Sequence, residues 1–231
     1  MGECAILHLG AQNDSDMGNC QVHFSPVDVH QRLNKLGLSK DHIDQTVQAG
    51  LLARRECTGN HPVTAAGFNQ WSEMVRVYRD LLLPVGWELS NEANQGLICN
   101  PGNGICIAVV QGDKKTGRAD SIPSTRSPRG PKTTAAVMSN NDFLFSEMAE
   151  DEIAALAESH RDFWLFMVHF NERAGRVQSE LSRPIRMSEG KRPIAWSERI
   201  IFPDVVFSDP APLPLPGPRT PEIVVEVKRR A

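Results

Sequence analysis

The residues best equipped for chemistry lie in two stretches of this chain. In GDKKTGRADSIPSTRSPRGPK, Gly112 to Lys132, the basic side chains of Lys114, Lys115, Arg118, Arg126, Arg129 and Lys132 stand against only Asp113 and Asp120. Interleaved glycines and Ser/Thr hydroxyls add backbone N–H and O–H donors, which is the set a phosphate group needs. The second stretch is FPDVVFSDPAPLPLPGPRTPEIVVEVK, Phe202 to Lys228. Strand alternation from Glu222 puts Val224, Glu226 and Lys228 on one face and Ile223, Val225 and Val227 on the other. With Asp204 upstream, Asp204 and Glu226 could share one Mg²⁺ at ~2.0–2.1 Å per ligand, and Lys228 would orient or activate the attacking water. An amphipathic edge strand with its charges in water explains Glu226 and Lys228 equally well.

Pro203-Asp204 followed by Glu226-Val227-Lys228 resembles the motif of the PD-(D/E)xK nuclease superfamily. The resemblance spans Phe202 to Lys228 and implies a small metal-dependent nuclease, with Asp204, Glu226 and Lys228 catalytic and Asp204 and Glu226 as Mg²⁺ ligands. The sequence departs from that family in two ways. That fold normally continues into a helix and another strand, whereas only three residues follow Lys228, and a proline run replaces the expected tight turn.

Other candidates are weaker. GDKKTG lacks the GK[ST] ending of a phosphate-binding Walker loop, and GxSxG and HExxH patterns are absent. Cys57 and His61 form a lone pair without the partner pair that a zinc site requires. SPVDVHQRLNKLG and SKDHIDQTVQAG each carry a Ser N-cap and a Gly stop, at Gly37 and Gly50, so a helix-turn-helix reader is one interpretation. Arg54 and Arg55 follow the second segment and join the binding candidates. Lys40, His42, Gln45 and Gln48 make a weak recognition face, and plain helical packing is the favoured interpretation. Glu198 shares an apolar strand face with Ile194, Trp196, Ile200 and Phe202. That placement calls for a salt bridge, with Arg183 or Arg176 as the expected partner.

These candidates must be positioned by an α+β fold: an N-terminal helical module, then a mostly antiparallel sheet of about five strands with one packed helix. The expected units are residues 1–86, with a short strand at Ala5–Leu9, and residues 87–231, which hold the basic loop 112–132 and the proline-rich connection 208–221. Phe68, Trp71, Val75, Tyr78 and Leu82 recur at helical spacing and predict a buried stripe on a helix from Ala65 to Leu83. Cys99 and Cys106 flank a hairpin turn and read as small apolar neighbours. A further helix is expected over 141–159, a buried strand over 163–170, a hairpin about Ser188–Lys191, and a last strand at 222–228.

The chain has 231 residues, a net charge of −3, and 40% hydrophobic residues. No global basic field draws it onto nucleic acid, so such binding needs a local patch. Five cysteines without a CxxC pair favour free thiols in a reducing cytoplasm, and no apolar run is long enough for a membrane span. Composition and motifs together favour an accessory binding protein whose basic loop contacts nucleic acid, another phosphate-bearing ligand or an acidic protein. The nuclease is the second reading. A protein-interaction module presenting the proline segment is the third.

Overall fold

The computed structural model describes residues 20–91, 95–140 and 161–207. The expected elements at Ala5–Leu9, 141–159 and 222–228, and the proline-rich connection, lie outside the described residues.

A short strand, Gln21–His23, precedes three helices. Helix α1 (Pro26–Lys35) starts where Ser25 accepts from the Asp28 N–H at 3.2 Å and Pro26 occupies the first turn. Helix α2 (Lys40–Arg55) opens on a capping box. The His42 N–H donates to Ser39 Oγ, and the Ser39 N–H donates to His42 Nδ1, both at 3.2 Å. This helix does not stop at Gly50 as the sequence suggested. Gly50 lies in its interior because a Cβ there would stand 2.4 Å from Met74 Cγ, so the absent side chain lets α2 and α3 approach. Arg54 and Arg55 therefore sit in the last turn of α2, where cations complement the helix dipole.

Helix α3 (Ala65–Leu82) buries Gln70, Met74, Val75, Tyr78 and Leu82. The expected stripe is correct from Val75 onward, holds in part at Trp71, which packs against the core, and fails at Phe68. Trp71 is half-buried, and Phe68 is 60% exposed.

The strands are β1 (Gln21–His23), β2 (Glu88–Ser90), β3 (Leu97–Asn100), β4 (Ile105–Gln111), β5 (Asp162–Asn171), β6 (Arg176–Met187), β7 (Pro193–Ile201) and β8 (Val205–Val206). Their order is β1-β7-β6-β5-β4-β3-β2, with β8 paired to the start of β6. The β1–β7 and β4–β5 pairs are parallel and the others antiparallel. The fold is therefore α+β with a mostly antiparallel mixed sheet. Among the described residues, no helix is long and apolar enough to cross a membrane.

Both faces of the sheet are covered, which is why β4 and β5 read as nearly unbroken apolar runs. Ile107, Val109, Trp164, Phe166, Leu181 and Ile200 join the helical side chains Leu33, Ile43, Tyr78 and Leu82 in one cluster. Ala108, Val110, Leu165 and Met167 point the other way, onto Val137 of α4 (Pro131–Ser139) and onto Trp196. Helix α4 claims the last two residues of the expected basic loop, and Lys132 belongs to its first turn.

Two expectations about side-chain partners are corrected. Cys99 and Cys106 face each other across β3 and β4, with Cα atoms 4.1 Å apart, and are joined as a disulfide. Opposed antiparallel residues at that spacing bring their Cβ atoms into bonding reach. The inference of a reducing compartment from free thiols loses that support. Glu198 is indeed in a salt bridge, but its partner is Arg32 of α1. Both guanidinium Nε and Nη2 reach the carboxylate, the latter at 2.7 Å. His23 Nε2 lies 3.1 Å from the same group. The arginine across the strand pair, Arg183, is drawn instead to Asp162 and to Ser197 Oγ, the latter at 3.0 Å.

Candidate functional site: an arginine cleft at the end of β4

Pairing between β3 and β4 ends at Ala108, opposite Leu97, while β4 runs on to Gln111. The exposed edge beyond is satisfied by other parts of the chain. Trp71 of α3 donates its indole N–H to the Val109 carbonyl at 3.0 Å. The Arg126 N–H donates to the Gln111 carbonyl at 2.9 Å, and the Asp113 N–H to that of Ser124 at 2.9 Å. An isolated antiparallel bridge, Gly112 to Thr125, results. Gln111 donates its side-chain amide to the Gly67 carbonyl at 2.9 Å, which ties the first turn of α3 to the strand end.

A cleft of about 530 Å³ opens between these pieces. Its walls include Arg54, Phe68, Trp71, Gln111, Arg126 and Arg129. Three of the eight basic residues singled out in the sequence thus converge, from α2 and from the basic loop. The other five are placed elsewhere. Arg118 pairs with Asp120 at 2.8 Å, Arg55 lies over the Phe207 ring, and Lys114, Lys115 and Lys132 do not line this cleft.

The three arginines differ in electrostatic condition. Arg54 is committed: it pairs with Glu172, donates to Gln70 at 3.3 Å, and packs over Phe170. Arg126 is exposed, and no carboxylate partners it among the described residues. Arg129 is half-buried; its Nε is shielded from water and has no hydrogen-bond partner among the described residues. Burial holds the Arg129 guanidinium below its ordinary pKa. A cation withdrawn from water without a counter-charge is a standing cost that a bound anion would remove.

The loop that carries Arg126 and Arg129 is irregular, as expected, but it is pinned to the sheet. Glu180 and Arg199, both fully buried on β6 and β7, form an ion pair at 2.6 Å. Arg199 donates to the Ser121 carbonyl at 2.8 Å and the Arg118 carbonyl at 2.9 Å, while Glu180 accepts from the Gly117 N–H at 2.9 Å. Gly117 has φ +75° and lies hard against Gln178 and Ser179, so a side chain there would be strained and crowded. Beyond this anchor, the Arg129 N–H donates to the Lys191 carbonyl at 2.8 Å, and Arg192 donates to the Arg126 carbonyl at 3.2 Å. The β6–β7 hairpin thereby brings Lys191 and Arg192 beside the loop. Sequence reading missed these two cations, although the basic hairpin sequence EGKR offered a signal.

The second sequence candidate is only partly described. Asp204 lies just after β7 and pairs with Arg176 at 3.2 Å. Glu226 and Lys228 lie outside the described residues. Among the described residues, no group of three or more His, Cys, Asp or Glu side chains is arranged to hold a metal ion. No protein-family model, curated protein or solved structure matches the chain.

Proposed function

We propose that this protein binds a phosphate-bearing ligand in the arginine cleft at the end of β4. The observation that carries this reading is the convergence of Arg126 and Arg129 with no carboxylate partner among the described residues, one of them half-buried, beside the committed Arg54. Phosphate oxygens would supply the charge and the acceptors that these guanidinium groups lack. The chain is otherwise acidic, so affinity depends on this local patch and is strongly reduced by salt.

Titration with tripolyphosphate at several salt concentrations tests the reading. The variant combining Arg126→Glu with Arg129→Met should bind at least tenfold more weakly. Its affinity should also depend less steeply on salt, because fewer charge contacts remain to be screened. Unchanged affinity and salt dependence would move the site elsewhere. Mg²⁺-dependent cleavage of DNA or RNA that disappears in Glu226→Ala would replace this reading with the nuclease.

A further inference from the structure

We propose that the cleft takes a nucleotide unit, with a nucleobase stacked on Phe68 and its phosphate held by Arg126 and Arg129. The proposal rests on the reading of the cleft as a phosphate site and adds the class of group attached to that phosphate.

The observation behind it is the aromatic wall. Phe68 is 60% exposed although it lies in the first turns of a helix whose later positions are buried. Leaving that ring in water forgoes burial worth several times what a surface Ala would forgo, so its exposure invites an explanation. One side of the ring is packed. Its inner side meets Trp71, with centroids 5.9 Å apart and planes tilted at 51°. Trp71 is itself fixed by its hydrogen bond to Val109. The outer face of Phe68 is thus a flat, apolar surface lining the same cleft as two arginines free of carboxylate partners among the described residues.

A simple inorganic anion would need the arginines and would gain nothing from such a wall. A base joined to a phosphate uses both, because every nucleobase has a π-face and stacking is tolerant of its identity. The cleft volume of about 530 Å³ is that of a small-molecule site and suits one nucleotide unit rather than a length of duplex. The base must therefore be unstacked from others, as in a free nucleotide or a single strand.

Three probes separate the parts of this idea: tripolyphosphate, ATP, which carries the same phosphate chain on a nucleoside, and a single strand of ten uridines. Phe68→Ala should weaken ATP, the uridine strand or both by roughly fivefold or more, leave tripolyphosphate unchanged, and be rescued by Phe68→Tyr. A loss confined to the strand identifies single-stranded nucleic acid as the source of the nucleotide, and a loss confined to ATP identifies a free nucleotide. If Phe68→Ala changes neither, or weakens tripolyphosphate equally, base stacking is overturned while the phosphate reading stands. If instead the Arg126→Glu, Arg129→Met variant binds ATP and the strand undiminished, the phosphate reading fails and takes this inference with it.

Discussion

Glu180 and Arg199 show how much can depend on one pair of side chains. Both are removed from water, and between them they hold the carbonyls of Arg118 and Ser121 and the N–H of Gly117. Removing one member of such a pair strands the other, at a cost of about 3–5 kcal/mol. Arg199→Met should therefore lower unfolding free energy by that order in urea denaturation. The double change Glu180→Gln with Arg199→Met should recover much of the loss. Equal losses in the single and double variants would mean that the anchor works through shape rather than charge. Neither residue was marked as a candidate in the sequence, because a Glu in RVQSELS and an Arg in AWSERII look like ordinary solvent-facing positions of alternating strands. Only the second covering layer on that face makes them interior. Glu198 was the converse: its apolar company announced a partner, but Arg32 lies 166 residues away on a helix that no strand periodicity points to.

At the scale of elements, local signals identified the starts of α1, α2 and α3, the long strands and the hairpin around Ser188–Lys191, but missed α4, whose first residues were read as loop. They misjudged ends and rotations where a neighbour decides. Gly50 looked like a stop, and the approach of Met74 makes it an interior position. Phe68 fits the periodic stripe of α3 but meets the ring of Trp71 on one side and leaves the rest of its surface exposed at the cleft. The start of α2 carries a pH dependence that follows from its cap. His42 Nδ1 accepts the Ser39 N–H, which only the neutral ring can do, and burial lowers the pKa of His42 despite the opposing pull of Asp41. His169 is likewise lowered, chiefly by burial. A histidine with a folded pKa below its unfolded value near 6.5 contributes stability that is fully present above that value. The contribution is lost as the pH falls from there toward the folded pKa. Thermal unfolding should therefore shift down between pH 7 and pH 5, by roughly 2–4 °C for each kcal/mol lost. His42→Gln, which keeps an acceptor in the capping box, should shift less. Parallel curves for the two proteins would take the effect away from His42.

For the molecule as a whole, the helices α1–α3 and one face of the sheet contribute to a single apolar cluster. Heat should therefore unfold the described core in one cooperative transition, with Trp fluorescence and far-ultraviolet circular dichroism coincident. Separate midpoints for the two probes would instead support independent units divided near residue 86. The pairing of β1 with β7 has a further consequence, for the order in which the chain can be completed during synthesis. Gln21–His23 has no strand to join until residues 198–200 exist, and Arg32 has no counter-charge until Glu198 does. On the ribosome, where chains grow by about 5–20 residues per second, this N-terminal edge must wait roughly ten to forty seconds with its strand unpaired. The first strand described in the sheet is thus among the last to be closed. A nascent chain halted before Glu198 would present that open edge to whatever chaperone or neighbouring strand reached it first.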